Sequence, residues 1–152
     1  MFADIKTVSD VGTFDAKIPG FKYPEFQGTV TFFFNADSVG RIYLFSEQKR
    51  SDTEWNEMRL ALSPDIQAKR YELPDSAVIT APYFLEVWRD EHGETHSRSY
   101  VTDQKSGHFT VEKFDIKTGE FRAEFNVGIL DEGKRHQAIG KINVTGWSEV
   151  KN

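Results

Sequence analysis

The chain contains no cysteine, which excludes disulfide frameworks, thiol nucleophiles, zinc ribbons and iron–sulfur clusters together. It also lacks a long apolar run. The longest uncharged, apolar-leaning stretch covers residues 76–85 and includes Pro82; a membrane helix needs ~20 residues, about twice that length. Residues 1–6 show no basic start followed by an apolar segment, so no secretory signal is read there. The expectation is a soluble, cytoplasmic protein, exported only if a leader has been removed. Positive charge is not in excess either. Lys and Arg number 19 against 24 Asp and Glu, a formal net charge of -5, and a phosphate-backbone binder needs a cationic surface. The basic pairs Lys49-Arg50, Lys69-Arg70 and Lys134-Arg135 are two residues long and read as solvated turns. No nucleic-acid partner and no membrane span are expected.

Catalytic motifs are missing as well. No Gly-x-Ser-x-Gly elbow and no glycine-rich phosphate loop occurs. The histidines are His92, His96, His108 and His136. Two of them fall in Glu91-His92-Gly93-Glu94-Thr95-His96, and on a helix a four-residue spacing could grip zinc from one face. Gly93 marks this segment as a hairpin tip, so it reads as a polar turn. No catalytic residue, metal ligand or cofactor is assigned.

What the chain has in quantity is aromatic side chains: 13 Phe, 5 Tyr and 3 Trp. Aromatic and β-branched residues favour strands because their bulk packs well on a pleated surface. Periodicity decides the class. In Phe121-Arg122-Ala123-Glu124-Phe125-Asn126-Val127 the apolar residues occupy every second position, the pattern of a half-buried strand. The same beat returns, less cleanly, in residues 58–62 and 136–144. Lys117-Thr118-Gly119 and Asp90-Glu91-His92-Gly93 separate such runs and predict hairpins. Nine strands are predicted, over residues 12–18, 28–34, 40–45, 58–62, 83–89, 94–101, 109–116, 120–127 and 135–145. A helix over residues 52–60, capped by Asp52, competes with strand at 58–62, and strand is preferred. No linker or repeat interrupts residues 1–152, so one domain is expected.

The signals Leu60-Ala61-Leu62, Tyr71-Glu72-Leu73, Gly107-His108-Phe109-Thr110-Val111, Phe114-Asp115 and Gly119-Glu120-Phe121-Arg122-Ala123-Glu124-Phe125 follow one another between residues 58 and 146. In that order they resemble small bacterial all-β domains of uncharacterised function. The resemblance implies a β-sandwich or a lipocalin-like fold and assigns no catalytic residue.

Binding candidates come from the aromatic residues. Pro19-Gly20-Phe21-Lys22-Tyr23-Pro24-Glu25-Phe26-Gln27-Gly28 sets Phe21, Tyr23 and Phe26 among prolines and glycines. Such rings offer contact area at low entropic cost, or they close one end of the core. Trp88 shares a strand face with Phe84 and Glu86, and an exposed Trp88 beside Glu86 would make a stacking platform with a hydrogen-bonding acid. Trp55 and His96 complete the candidate set. Phe32-Phe33-Phe34 cannot lie on one face, which suggests a strand covered on both sides or an edge covered by a second copy in a homo-oligomer.

Together these features predict an all-β protein, an antiparallel β-sandwich of about nine strands, with a closed lipocalin-like barrel as the alternative. The expected function is non-catalytic binding of a carbohydrate or other small amphipathic ligand through Phe21, Tyr23, Phe26, Trp55, Glu86, Trp88 and His96. The alternatives are a protein-interaction module, adaptor or inhibitor, and an enzyme assembled around His96 and His136.

Overall fold

The computed structural model of the chain describes residues 6–7, 10–73 and 78–151. Residues 1–5, where a signal sequence was sought, and residues 74–77 lie outside the described part. Among the described residues no helix is long and apolar enough to cross a membrane. In chain order the strands are β1 (Lys6–Thr7), β2 (Gly12–Lys17), β3 (Glu25–Ala36), β4 (Arg41–Lys49), β5 (Glu54–Leu62) and β6 (Arg70–Glu72). They continue with β7 (Tyr83–Arg89), β8 (Thr95–Tyr100), β9 (Thr102–Phe114), β10 (Phe121–Asp131), β11 (Lys134–Val144) and β12 (Val150–Lys151).

Alternation builds these strands. From His136 to Val144 in β11 every second side chain is buried and those between are exposed, so one face meets the core and the other meets water. β5 shows the same pattern from Asn56 to Leu62, with half-buried residues between. The competing helix at residues 52–60 does not form.

β1 and β12 pair with each other, and the other ten strands make one antiparallel sheet in the order β6-β9-β10-β11-β2-β3-β4-β5-β7-β8. The ladder ends at β6 and β8 and is not closed into a barrel. The architecture is all-β, as a sandwich requires. The sheet still curls on itself: β8 runs into β9 with only Val101 between them, and the Val101 carbonyl accepts the Leu130 N–H of β10 at 2.8 Å. Its two halves therefore face each other over the aromatic core. Phe33 of β3 stacks on Phe121 of β10 at 5.8 Å, and Phe26 of β3 meets Phe84 of β7 edge-on at 6.0 Å. Close packing also dictates Gly140, where a Cβ would lie 2.2 Å from Phe125 Cζ and 2.5 Å from the Asp15 carbonyl oxygen.

The two ends of the core are finished differently. At one end the 18–24 loop folds inward, held by the Ile18 N–H on the Pro24 carbonyl at 2.8 Å. Phe21 drops from this loop onto Phe84, Tyr100 and His136, with ring centroids 5.2, 5.1 and 5.6 Å away. At the other end Trp147 stacks on Phe33 at 4.8 Å, while Ser148 donates its N–H to the Phe33 carbonyl and accepts the Phe33 N–H on Oγ.

The triple phenylalanine is resolved by a register shift between Val30 and Phe32. Phe33 points into the core, whereas Phe32 and Phe34 lie outside, and Phe32 stacks on both Phe34 and Phe45. β3 lies between β2 and β4, so it is an interior strand and not an edge.

Candidate functional site

Strand register arranges the inner face of β4, β5, β7 and β8 in rows of graded character. The deepest row is Ser46, Met58, Phe84 and Tyr100, directly paired from strand to strand and all buried. Ser46 is satisfied there by donating to the Met58 carbonyl at 2.7 Å. One pleat nearer the end stand Gln48, Asn56, Glu86 and Arg98. The rim carries Glu54, Trp88 and His96. The inner wall thus passes from dry to hydrogen-bonding to wet within two pleats, and the 18–24 loop lies above it.

Tyr23 ties that loop to the wall. Its ring stacks on Phe84 at 5.6 Å and 15°, its hydroxyl donates to the Glu86 carboxylate, and the same hydroxyl accepts from Arg50 at 3.0 Å. The Arg50 guanidinium also lies 4.4 Å from the centre of the Tyr23 ring. Burial, followed by the hydrogen bond to Glu86 and its charge, pushes the Tyr23 phenol up to about 12. Lys22 sits 5.1 Å over the Tyr100 ring and 3.9 Å from Glu86. The Tyr100 hydroxyl, and then Glu86, hold its ammonium above the ordinary lysine range.

Two cavities open on either side of the Tyr23–Arg50 contact. The larger, about 620 Å³, is walled by Lys22, Gln48 and Asn56 in addition to that pair. The smaller, about 320 Å³, is walled by Glu54, Glu86, Val87 and Trp88. Asn56 is 2% exposed, and its Oδ1 accepts no hydrogen bond among the described residues. A buried acceptor left in this state costs roughly 1–3 kcal/mol, and native structures hold few of them. A third cavity, about 480 Å³, lies on the outer face around Ile139 and His108. Part of its polar lining is engaged across strands, with Lys141 3.7 Å from Glu124 and Gln137 donating to Asn126.

Of the residues singled out in the sequence, Tyr23, Glu86 and Trp88 come together at this mouth. Phe21 and Phe26 stand in the core, at 4% and 1% exposure, and form its ceiling and wall. Trp55 lies on the outer face of β5, where Nε1 donates to Glu57 at 2.8 Å and Arg89 covers the ring at 5.8 Å. His96 is at the rim, stacked on Trp88 at 5.7 Å and hydrogen-bonded to Asp90 at 2.7 Å. His136, its partner in the enzymatic alternative, is buried beneath Phe21. Asp90, Glu94 and His96 each bring a ligand-type atom to within 4.8 Å of the others. Asp90 also caps this exposed turn by accepting the His92 and Glu94 N–H groups. Gln48, Arg50 and Asn56 were not anticipated. The signal for Asn56 was present, since it falls in phase with Met58, Leu60 and Leu62, and a polar residue in an apolar register marks a wall that is not fully dry.

No known protein family, curated protein or solved structure matches the chain.

Proposed function

We propose that this chain is a non-catalytic binding protein that holds a carbohydrate, or a small amphipathic ligand of similar chemistry, in the mouth beneath the 18–24 loop. The observation that carries this reading is the unpaired Oδ1 of Asn56 in the wall of the larger cavity. A ligand hydroxyl or amide would satisfy it. The surrounding charges are matched in pairs, Arg50 with Glu54 at 3.5 Å and Lys22 with Glu86 at 3.9 Å. Neutral hydrogen-bonding groups suit such a site better than a net charge does. Tyr23 and Trp88 supply flat area, and a few fixed polar groups set orientation, the usual division of labour in small-ligand sites.

The test is a glycan array followed by saturation-transfer NMR on the best binders, with Asn56→Leu as the comparison. Wild type is expected to bind and the variant to lose binding while remaining folded. Equal binding by the two proteins would remove Asn56, and with it this reading.

A protein-interaction role has separate support on the outer face, where Phe34 and Tyr83 are 39% and 37% exposed. Its test is whether Phe34→Lys abolishes association in sedimentation experiments.

A further inference from the structure

We infer that the mouth takes two linked sugar rings, one on each side of the Tyr23–Arg50 contact, and that it is built for a disaccharide unit. This rests on the carbohydrate reading above. The two cavities share Tyr23 and Arg50 as a common wall, yet the chemistry on either side differs. On one side the wall joins the amides of Gln48 and the unpaired Asn56 to the charged ends of Lys17, Lys22 and Glu25, and amides of this kind grip a ring by its hydroxyl edge. On the other side stand the Trp88 indole and the Glu54 and Glu86 carboxylates. An indole receives a ring face and carboxylates accept its hydroxyls.

The partition is fixed from both flanks. Arg50 is anchored to Glu54 at 3.5 Å, and Tyr23 is stacked on the buried Phe84 and bound to Glu86. The smaller compartment, about 320 Å³, lies at the lower end of the ~300–1,000 Å³ range of small-ligand sites. A compartment of this size suits one ring, and a second ring linked to the first would lie across the partition in the larger cavity. Linking the two rings makes the second engagement intramolecular, which multiplies affinity without any new contact.

The experiment is isothermal titration calorimetry of the full chain with maltose, cellobiose and lactose against glucose and galactose. The best disaccharide is expected to bind at least tenfold tighter than either of its component sugars. Trp88→Ala should bring the disaccharide down at least tenfold, to the level at which wild type binds a monosaccharide. Trp88→Phe, which retains a ring, should keep most of the disaccharide advantage and controls for folding. Asn56→Leu should lose both classes of sugar. Equal affinity for mono- and disaccharides, or an unchanged disaccharide affinity in Trp88→Ala, overturns the two-ring inference and leaves the carbohydrate reading standing. Absence of binding by all five sugars overturns both.

Discussion

Asn56 and Glu86 stand directly opposite one another on β5 and β7, and their acceptor groups meet different fates. The Glu86 carboxylate is engaged by the Tyr23 hydroxyl and approached by Lys22, whereas Asn56 Oδ1 is buried without a partner among the described residues. Within one cross-strand pair, the charged acceptor has partners inside the chain and the neutral one has none among the described residues.

That asymmetry makes Asn56 costly to the folded state. Replacing it with leucine, close in volume and in phase with Met58 and Leu60, removes an unsatisfied buried amide. Urea denaturation should show Asn56→Leu to be about 1 kcal/mol more stable than wild type, in the same variant that should lose the proposed ligand binding. A destabilised variant would indicate that the amide is structurally satisfied.

Tyr23 should titrate late. Its ordinary value of 10.0 is pushed up to about 12, first by burial and then by Glu86. The neutral phenol is thus favoured by folding. The stability it contributes is complete below pH 10 and is lost as pH rises through about 12. Absorbance at 295 nm should resolve one late-ionising tyrosine. Glu86→Gln should move it downward, but not to the ordinary value, because burial remains.

Glu47 and Glu57 face each other on the outer surface of β4 and β5. Glu57 already accepts from Trp55 and Arg59, and burial, then the Glu57 charge, raises the Glu47 carboxyl above its usual range. A raised carboxylate destabilises the fold while it is ionised. Glu47→Gln is therefore expected to gain roughly 0.2–1 kcal/mol at neutral pH. The gain should fade as pH falls toward 4.5, the ordinary value, and denaturation at pH 7 and pH 4 measures the difference.

Gly119 combines two demands. Its φ is +81°, and a Cβ there would sit 2.5 Å from the Trp147 backbone nitrogen and 2.7 Å from its indole ring. Gly119→Ala should cost at least ~1 kcal/mol from backbone strain alone, with more from displacing Trp147. Tryptophan fluorescence followed through thermal unfolding should report both changes. The proposed sugar binding at the opposite end should survive.

The fold was legible where the two-residue beat was clean. Residues 120–127 and 135–145 fall within or close to β10 and β11, and Gly119 occupies the left-handed position that its turn needed. β6 did not stand out among the predicted strands because it has only three residues, Arg70–Glu72, too few to display a period. The bend at Val101 was hidden for a different reason: what cuts the run from Thr95 to Phe114 is a change of pairing partner from β7 to β10, not a breaker residue.

The site was half legible. Placing Trp88 beside Glu86 needed only the pleat, and both line the mouth. Tyr23 was marked by its prolines, but its hydroxyl reaches a residue 63 positions away, and no local pattern encodes that meeting. Phe21 and Tyr23 lie two apart in a loop with no pleat to sort them, and tertiary packing alone sends one inside and leaves the other half-buried.

Trp147, wedged against Phe33 at the end remote from Tyr23, seals the base of the core, while Tyr23 and its neighbours form the lip. The base and the lip draw on different residues, so substitutions that raise the melting temperature can be gathered at the base without altering the residues of the lip. That separation makes the chain a candidate scaffold for engineered receptors, in which the lip is randomised and the base supplies the reserve of stability that randomisation consumes.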